Sequence, residues 1–281
     1  MQVDAFAAEP FKGNPAAVLL LEEDADERWM QSVATEFNVS QTAFLVREPS
    51  AAAAPRFRLR WFTPVTEVAL CGHATLASAH VLFTILLGKQ HGTVEFVTKS
   101  GIQTAKKVPA PEAVASSAKL FIELDFPTID LAECSSAEMP SIPETLNGAR
   151  VVNVYKSSTV GDLIVEISSA KEVVDIVPDI HEIKRCAGRG VIVTAPGPAG
   201  SGYDFFSRFF CPKFAIDEVM SCSFSQVVCV SWMQRGFLLA ARWQPCFAMQ
   251  NGFHSNFYMV KNYRLHFLQL KTYVDSTIRH T

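Results

Sequence analysis

Along most of the chain hydrophobic and polar positions alternate in short runs, and twice they switch to helical spacing. VDAFAAEPFKGNPAAVLLLE reads as a strand, a loop rich in Gly and Pro, and a second strand, with Lys12-Gly13-Asn14-Pro15 as the turn. Asp24 and Glu27 are spaced as a capping box for a helix carrying Trp29, Met30, Val33, Ala34 and Phe37, and Asn38 suits its end. Strands are predicted at 42–47 and 56–62, with the Pro-Ser-Ala-Ala-Ala-Ala-Pro stretch between them as a surface loop. After Pro64, Leu70-Cys71-Gly72-His73 opens a second helix. His73, Leu76, Ala77, His80 and Phe83 share one face, and Ala74, Ser78, Ala79 and Leu82 make the rest small or apolar. A helix without a polar face is buried on most sides, so strands are expected to wrap it, and Gly88 is placed to stop it. Runs 93–101 and 119–127 alternate like strands, with a boundary rich in Lys, Pro and Ala at 106–118. Further strands are predicted near 150–155, 162–167 and 190–195.

One short pattern occurs twice. Arg60-Trp61-Phe62-Thr63-Pro64 is echoed by Arg208-Phe209-Phe210-Cys211-Pro212, each at the end of a strand-like run. Two halves built alike would explain the echo and would place a second helix entrance after Pro212.

Composition narrows the function classes. The 281 residues are 49% hydrophobic and 19% charged, which is globular composition with enough chain for a large domain or two ordinary ones. A net charge of −3 without a basic block gives no reason to expect nucleic acid as a partner. No apolar run is long enough to span a membrane, and MQVDAFAAE lacks the basic start of a signal peptide, so a cytoplasmic location is expected. Seven cysteines, an odd and scattered set without a Cys-x-x-Cys pair, predict reduced thiols rather than disulfides, and no metal site.

The chemistry-bearing stretch is Cys71-Gly72-His73. A helix starting there directs free backbone N–H groups and the positive end of its dipole outward, and a carboxylate is the natural guest. Gly72 lets that guest approach the backbone closely. His73 either holds or relays a proton near neutral pH or only bonds at the helix start.

With VDAF, GNPAAV, FNVSQTAF, RWFTP and CGHAT in that order, the chain resembles the PhzF family of phenazine-biosynthesis-like isomerases from about Val3 to Glu218. The resemblance implies an α+β fold related to diaminopimelate epimerase and proline racemase. Two similar domains, each a curled, mostly antiparallel sheet around a central helix, would flank an active-site cleft. It implies proton transfer on a small carboxylate-bearing metabolite, without metal or organic cofactor. The expected division is an N-terminal half over 1–110, a second half over 118–218 and a divergent tail over 219–281. A homodimer is the expected assembly. Gly72, His73 and Asn14 are the expected substrate-binding residues, although Asn14 also reads as a plain turn residue. Proline racemases carry a similar Met-Cys-Gly-His sequence whose cysteine is a base, which makes Cys71 a candidate proton carrier; a small buried residue is the other reading.

Two departures stand against full activity. Where the family carries Ser-Glu-Thr-Ala-Phe with a catalytic glutamate, this chain reads Ser40-Gln41-Thr42-Ala43-Phe44, and an amide cannot shuttle a proton. After Ile216-Asp217-Glu218 the family's Asp-Pro-x-x-Gly-Ser-Ala-His motif is replaced by Val219-Met220-Ser221-Cys222-Ser223-Phe224-Ser225. The abruptness of that change points to an altered reading frame or alternative exon and to an incomplete second domain. A catalytically inactive binding relative is the rival reading.

Overall fold

The alternating runs become strands, and the small-residue run becomes a helix enclosed by them. The computed structural model describes residues 1–5, 13–49, 54–88, 90–109, 120–125, 130–134, 142, 146, 148–158, 161–198 and 205–219, and the backbone of 259–261, 264–268 and 271–273. Contacts divide the chain into two units, Met1–Pro127 with Asn251–Thr281, and Thr128–Gln250.

The first unit contains β1 (Gln2–Ala5), β2 (Asn14–Leu21), α1 (Glu27–Phe37), β3 (Gln41–Glu48), β4 (Arg56–Phe62), β5 (Glu67–Val68) and α2 (Gly72–Val81). It continues with β6 (Thr93–Thr98), β7 (Gly101–Val108) and β8 (Phe121–Asp125). Across the sheet the strand order is β8-β7-β6-β4-β3-β2-β1, with β5 attached to β4. The pairs β2–β3 and β4–β6 are parallel, and the other pairs are antiparallel. α2 packs against β1, β2 and β3 towards one side of this order and against β8 on the other, so the sheet curls around it. All ten residues of α2 are buried. Its small side chains let the strands close in, and its hydroxyls bond back along the helix, Ser78 to the Ala74 carbonyl at 2.7 Å and Thr75 to the Cys71 carbonyl at 2.5 Å. Beyond Val81 the helix widens into a π-helical turn over Leu82–Leu86, closed by Leu87 N–H donating to the Leu82 carbonyl, and it ends at Gly88 with φ +55.

On the other face of the sheet α1 lies over Phe44 and Phe62, whose rings meet edge to face at 5.5 Å, with Met30 and Ala34 completing the cluster. The cap of α1 is Asp26, not Asp24: the Asp26 carboxylate accepts from the N–H groups of Arg28 and Trp29, while Asp24 turns away to pair with Arg58. Asn38 ends the helix in the left-handed conformation, as its sequence position predicts.

The second unit contains β9 (Leu131–Glu133), β10 (Val151–Ser157), β11 (Leu163–Ile167), α3 (Ala170–Asp175), α4 (Ile180–Arg185), β12 (Val191–Pro196), β13 (Phe205–Cys211) and β14 (Ile216–Val219). Its sheet runs β14-β13-β12-β11-β10-β9, antiparallel except for β11–β12. The helices lie on this sheet, α3 against β11, β12 and β13 and α4 against β13, over a core that includes Leu163, Val165, Val193 and Phe210. Among the described residues this unit has no enclosed central helix.

Two differences from the sequence reading follow, with one parallel between the units. β8 does not open the second unit, because its buried Phe121, Ile122 and Leu124 add to the first sheet by pairing with β7 across the 106–118 boundary. Pro212 begins a single 3₁₀ turn, Pro212–Phe214, and the chain returns as β14, as Pro64 is followed by β5; the helix entrance expected after Glu218 lies outside the described residues. Beyond residue 219, where no strand pattern is read, β15 (Met259–Lys261), β16 (Arg264–Leu268) and β17 (Lys271–Tyr273) extend the first sheet at β8 and β1. The segment Ser221–Ser225 lies outside the described residues. Among the described residues no cluster of three or more His, Cys, Asp or Glu has metal-site geometry. No described helix is long and apolar enough to cross a membrane.

Candidate active site

The start of α2 gathers most of the residues that the sequence nominates. Cys71 stands at the N-cap in extended conformation and makes no side-chain cap, so the first N–H groups of the helix lack an acceptor of its own chain turn; the first internal bond is Thr75 N–H to the Cys71 carbonyl at 3.1 Å. His73 follows in the first turn, 2% exposed. Facing it is the short link between α1 and β3, which the left-handed Asn38 bends into the strand and which carries Ser40.

Ser40 joins the site together. Its hydroxyl oxygen lies 2.9 Å from Asn14 Oδ1, 2.8 Å from the Pro15 carbonyl oxygen and 3.2 Å from His73 Nε2. The other ring nitrogen, Nδ1, is 3.3 Å from Cys71 Sγ. Asn14, Ser40, His73 and Cys71 therefore form one hydrogen-bonded chain assembled from β2, the α1–β3 link and the α2 entrance. Asn14 opens β2 and is buried, so it is a partner within the site rather than an exposed turn residue.

Proton placement follows from the partners. The Pro15 carbonyl accepts from the imidazole, and the Ser40 oxygen, itself 2.8 Å from that carbonyl, lies at Nε2; we assign the proton of the neutral ring to Nε2 on that ground. Nδ1 then accepts from the Cys71 thiol. Burial drives the His73 pKa down to about 3, against the opposing pull of the Pro15 carbonyl. The resting pair is a neutral imidazole and a thiol, and an imidazolium–thiolate ion pair is disfavoured in so dry a place.

Gln41 is the next residue after Ser40 and the first of β3. It pairs with Ala16 of β2, and both are buried. Only 7% of Gln41 is exposed, and its Oε1 has no hydrogen-bond partner among the described residues. A buried acceptor without a donor costs about 1–3 kcal/mol, and the adjacent Thr42 Oγ1 is likewise without a partner among the described residues. Gln41 is thus beside the hydrogen-bonded chain without being joined to it.

Two contributors escape the sequence reading. Ser40 sits within the quoted SQTAF segment, but nothing in a serine's position announces that it bridges residues 26 and 33 positions away. The second is Arg60, whose guanidinium forks onto Glu67 with bonds of 2.8 and 2.7 Å just upstream of the helix start. Its only sequence signal is the echo at Arg208.

Comparison with known proteins agrees with this architecture. The profile of the PhzC-PhzF family, phenazine biosynthesis-like proteins, matches residues 3–246, so the likeness continues past Glu218 into the segment read as divergent. A protein of Halalkalibacterium halodurans named as an uncharacterized isomerase is 39% identical over 216 residues, covering 77% of this chain and 74% of its own. A phenazine biosynthesis-like domain-containing protein of mouse is 39% identical over 235 residues, covering 76% of each chain. The crystal structure of a PhzF-family phenazine biosynthesis protein from Enterococcus faecalis superposes with a TM-score of 0.71 at 33% identity, over 96% of this chain and 94% of that one. With its curled sheet around a buried helix, its CGHAT entrance and a profile match over most of its length, the chain belongs to the PhzC-PhzF family of phenazine biosynthesis-like proteins.

Proposed function

We propose that this protein is an isomerase relative that binds a small carboxylate-bearing metabolite at the entrance of α2 and moves a proton on it without metal or organic cofactor. One observation carries the reading: Asn14, Ser40, His73 and Cys71 converge as a bonded chain on a helix start whose first N–H groups have no acceptor within the helix. The N–H groups at Gly72 and His73 would hold the carboxylate, where the helix dipole favours negative charge. Gln41, at the position where the family's glutamate stands, would contact the ligand by hydrogen bonds but has no proton to exchange at ordinary pH. The proton-bearing groups in reach are then His73 and Cys71. His73 is the better candidate for relaying a proton, because Ser40 and Cys71 engage both of its nitrogens. The arrangement speaks against Cys71 as a standing thiolate base of the proline-racemase kind, since its thiol bonds to a neutral ring.

A second reading, a binding relative without turnover, is favoured by the amide at position 41. Deuterium wash-in at the α-carbon of small carboxylic acids separates the two. Exchange that disappears in His73→Ala supports the isomerase. Carboxylate-dependent thermal stabilisation without exchange supports the binder, and the absence of both removes the two readings together. Gln41→Glu should raise exchange if position 41 is the base position.

A further inference from the structure

The Arg60 and Arg208 echo has a structural counterpart. In the first unit Arg60 Nε and Nη2 donate to Glu67 Oε1 and Oε2 at 2.8 and 2.7 Å, and the guanidinium lies 5.2 Å from the Phe62 ring centre. In the second unit Arg208 Nε and Nη2 donate to Glu218 Oε1 and Oε2 at 2.7 and 2.8 Å, and the guanidinium lies 5.0 Å from the Phe210 ring centre. Each arginine covers the aromatic residue two positions on, its neighbour on the same face of the strand. Each fork ties its strand to the antiparallel return strand after the proline turn, β4 to β5 and β13 to β14.

In the first unit the fork belongs to a larger fastening. Glu67 also receives Lys99 Nζ at 2.5 Å, and Arg60 reaches Glu27 of α1 at 2.8 Å. Burial pulls the Glu67 pKa up, but the bonds from Arg60 and Lys99 outweigh it and hold the group below its ordinary value. The turn ahead of β5 is tied to α1, through Gln31 to the Thr63 carbonyl at 3.0 Å and Thr35 to the Pro64 carbonyl at 2.7 Å. The Ala69 carbonyl accepts from Ser100 at 2.7 Å. Between Val68, the end of β5, and Gly72 only Ala69, Leu70 and Cys71 remain.

We propose that the Arg60–Glu67 fork is the positioning device of the α2 entrance: by fixing β5 it sets where Cys71, Gly72 and His73 stand against Ser40. Arg60 acts through the backbone and touches no ligand. The ligand readout below rests on the proposed carboxylate site, whereas the imidazole readout does not.

The test compares Arg60→Met with Arg58→Met in the full chain. Arg58 is the next outward residue of β4 and pairs with Glu48 and Asp24, which do not lead into α2. The readouts are the ¹⁵N signature of the His73 imidazole, which reports the tautomer, and the Kd of malonate as a probe carboxylate. Arg60→Met is expected to move the His73 signature towards a mixture of tautomers and to weaken malonate about tenfold or more. Arg58→Met should change neither, at a similar loss of Tm. Arg60→Lys, a cation without the fork, should fall between wild type and Arg60→Met. If Arg60→Met does not fold, Glu67→Gln removes the charge pair while keeping the shape, and the same shifts are expected. An unchanged His73 signature in a folded fork variant overturns the proposal. If wild type binds no malonate, the carboxylate site is the failed reading, and the His73 signature alone decides the role of the fork.

Discussion

Each unit buries a polar side chain at the junction of a strand and a loop, and the two junctions are finished differently. In the second unit Asp162 is fully buried and forked by Arg189, through Nε to Oδ1 at 2.9 Å and Nη2 to Oδ2, with the Gly190 N–H as a further donor. Burial pushes its pKa up while Arg189 and Gly190 pull it down. The loop beside it is equally closed: Gly188 has φ +84, and a Cβ there would meet the Gly161 carbonyl oxygen at 2.0 Å. In the first unit the α2 entrance is just as dry around His73, yet the neighbouring Gln41 keeps a buried oxygen without a donor among the described residues. A fully satisfied polar corner is a staple. A corner whose Gln41 oxygen finds no donor among the described residues lacks that staple, which is in keeping with the proposed ligand site.

Breaking the staple should have the largest effect. Asp162→Ala leaves the Arg189 guanidinium without its counter-charge in a largely buried place, and a loss of about 3–5 kcal/mol is expected from urea unfolding monitored on the second unit. Gly188→Ala forces a side chain into the left-handed region and against the Gly161 backbone. It should cost about 2–4 kcal/mol by the same measurement, because a carbonyl cannot move aside as a flexible side chain would.

Acid should destabilise the first unit through the buried histidines of α2. Burial lowers the pKa of His73 from 6.5 to about 3 and that of His80 from 6.5 to about 4. Between these values and 6.5 the unfolded chain binds protons that the folded chain refuses. The contribution of each histidine is therefore complete above about pH 6.5 and is lost as pH falls through the window, by up to about 1.4 kcal/mol per pH unit per group. Urea midpoints measured from pH 7.5 down to 4.5 should fall more steeply in wild type than in His73→Gln. Parallel curves would mean that the imidazole takes up its proton in the fold as readily as in the unfolded chain.

The smallest effect sharpens the contrast most. Gln41→Leu removes the orphaned oxygen with little change of volume, so stability should hold or rise by up to about 1 kcal/mol, unlike any change at Asp162. Carboxylate-dependent thermal stabilisation should weaken in the same variant. Gln41→Glu should instead lower stability near neutral pH, because an ionised carboxylate there would need a donor that the described residues do not supply. Differential scanning at pH 5 and pH 8 would read this, with the deficit larger at pH 8.

Much of the fold could be read from local pattern. Alternation over 56–62 predicts β4, the spacing of Trp29, Met30, Val33 and Ala34 predicts α1, and Asn38 marks its end. The featureless apolar surface of 72–81 predicts a helix hidden on every side. Cys71-Gly72-His73 marks the helix entrance, and the substitution at Gln41 is visible from the SQTAF segment alone. These features are decided within a few residues, by capping, by periodicity and by the cost of exposing an apolar face. The tertiary structure alone decided that β8 joins the first sheet, that Asp26 rather than Asp24 caps α1, and that Pro212 leads into a return strand. It also decided that Ser40 bridges Asn14 and His73, and that the echoed arginines fork onto Glu67 and Glu218. Strand partners and long-range hydrogen bonds depend on which segments are packed together once the sheet has curled around α2, and no periodicity within a single segment encodes that choice.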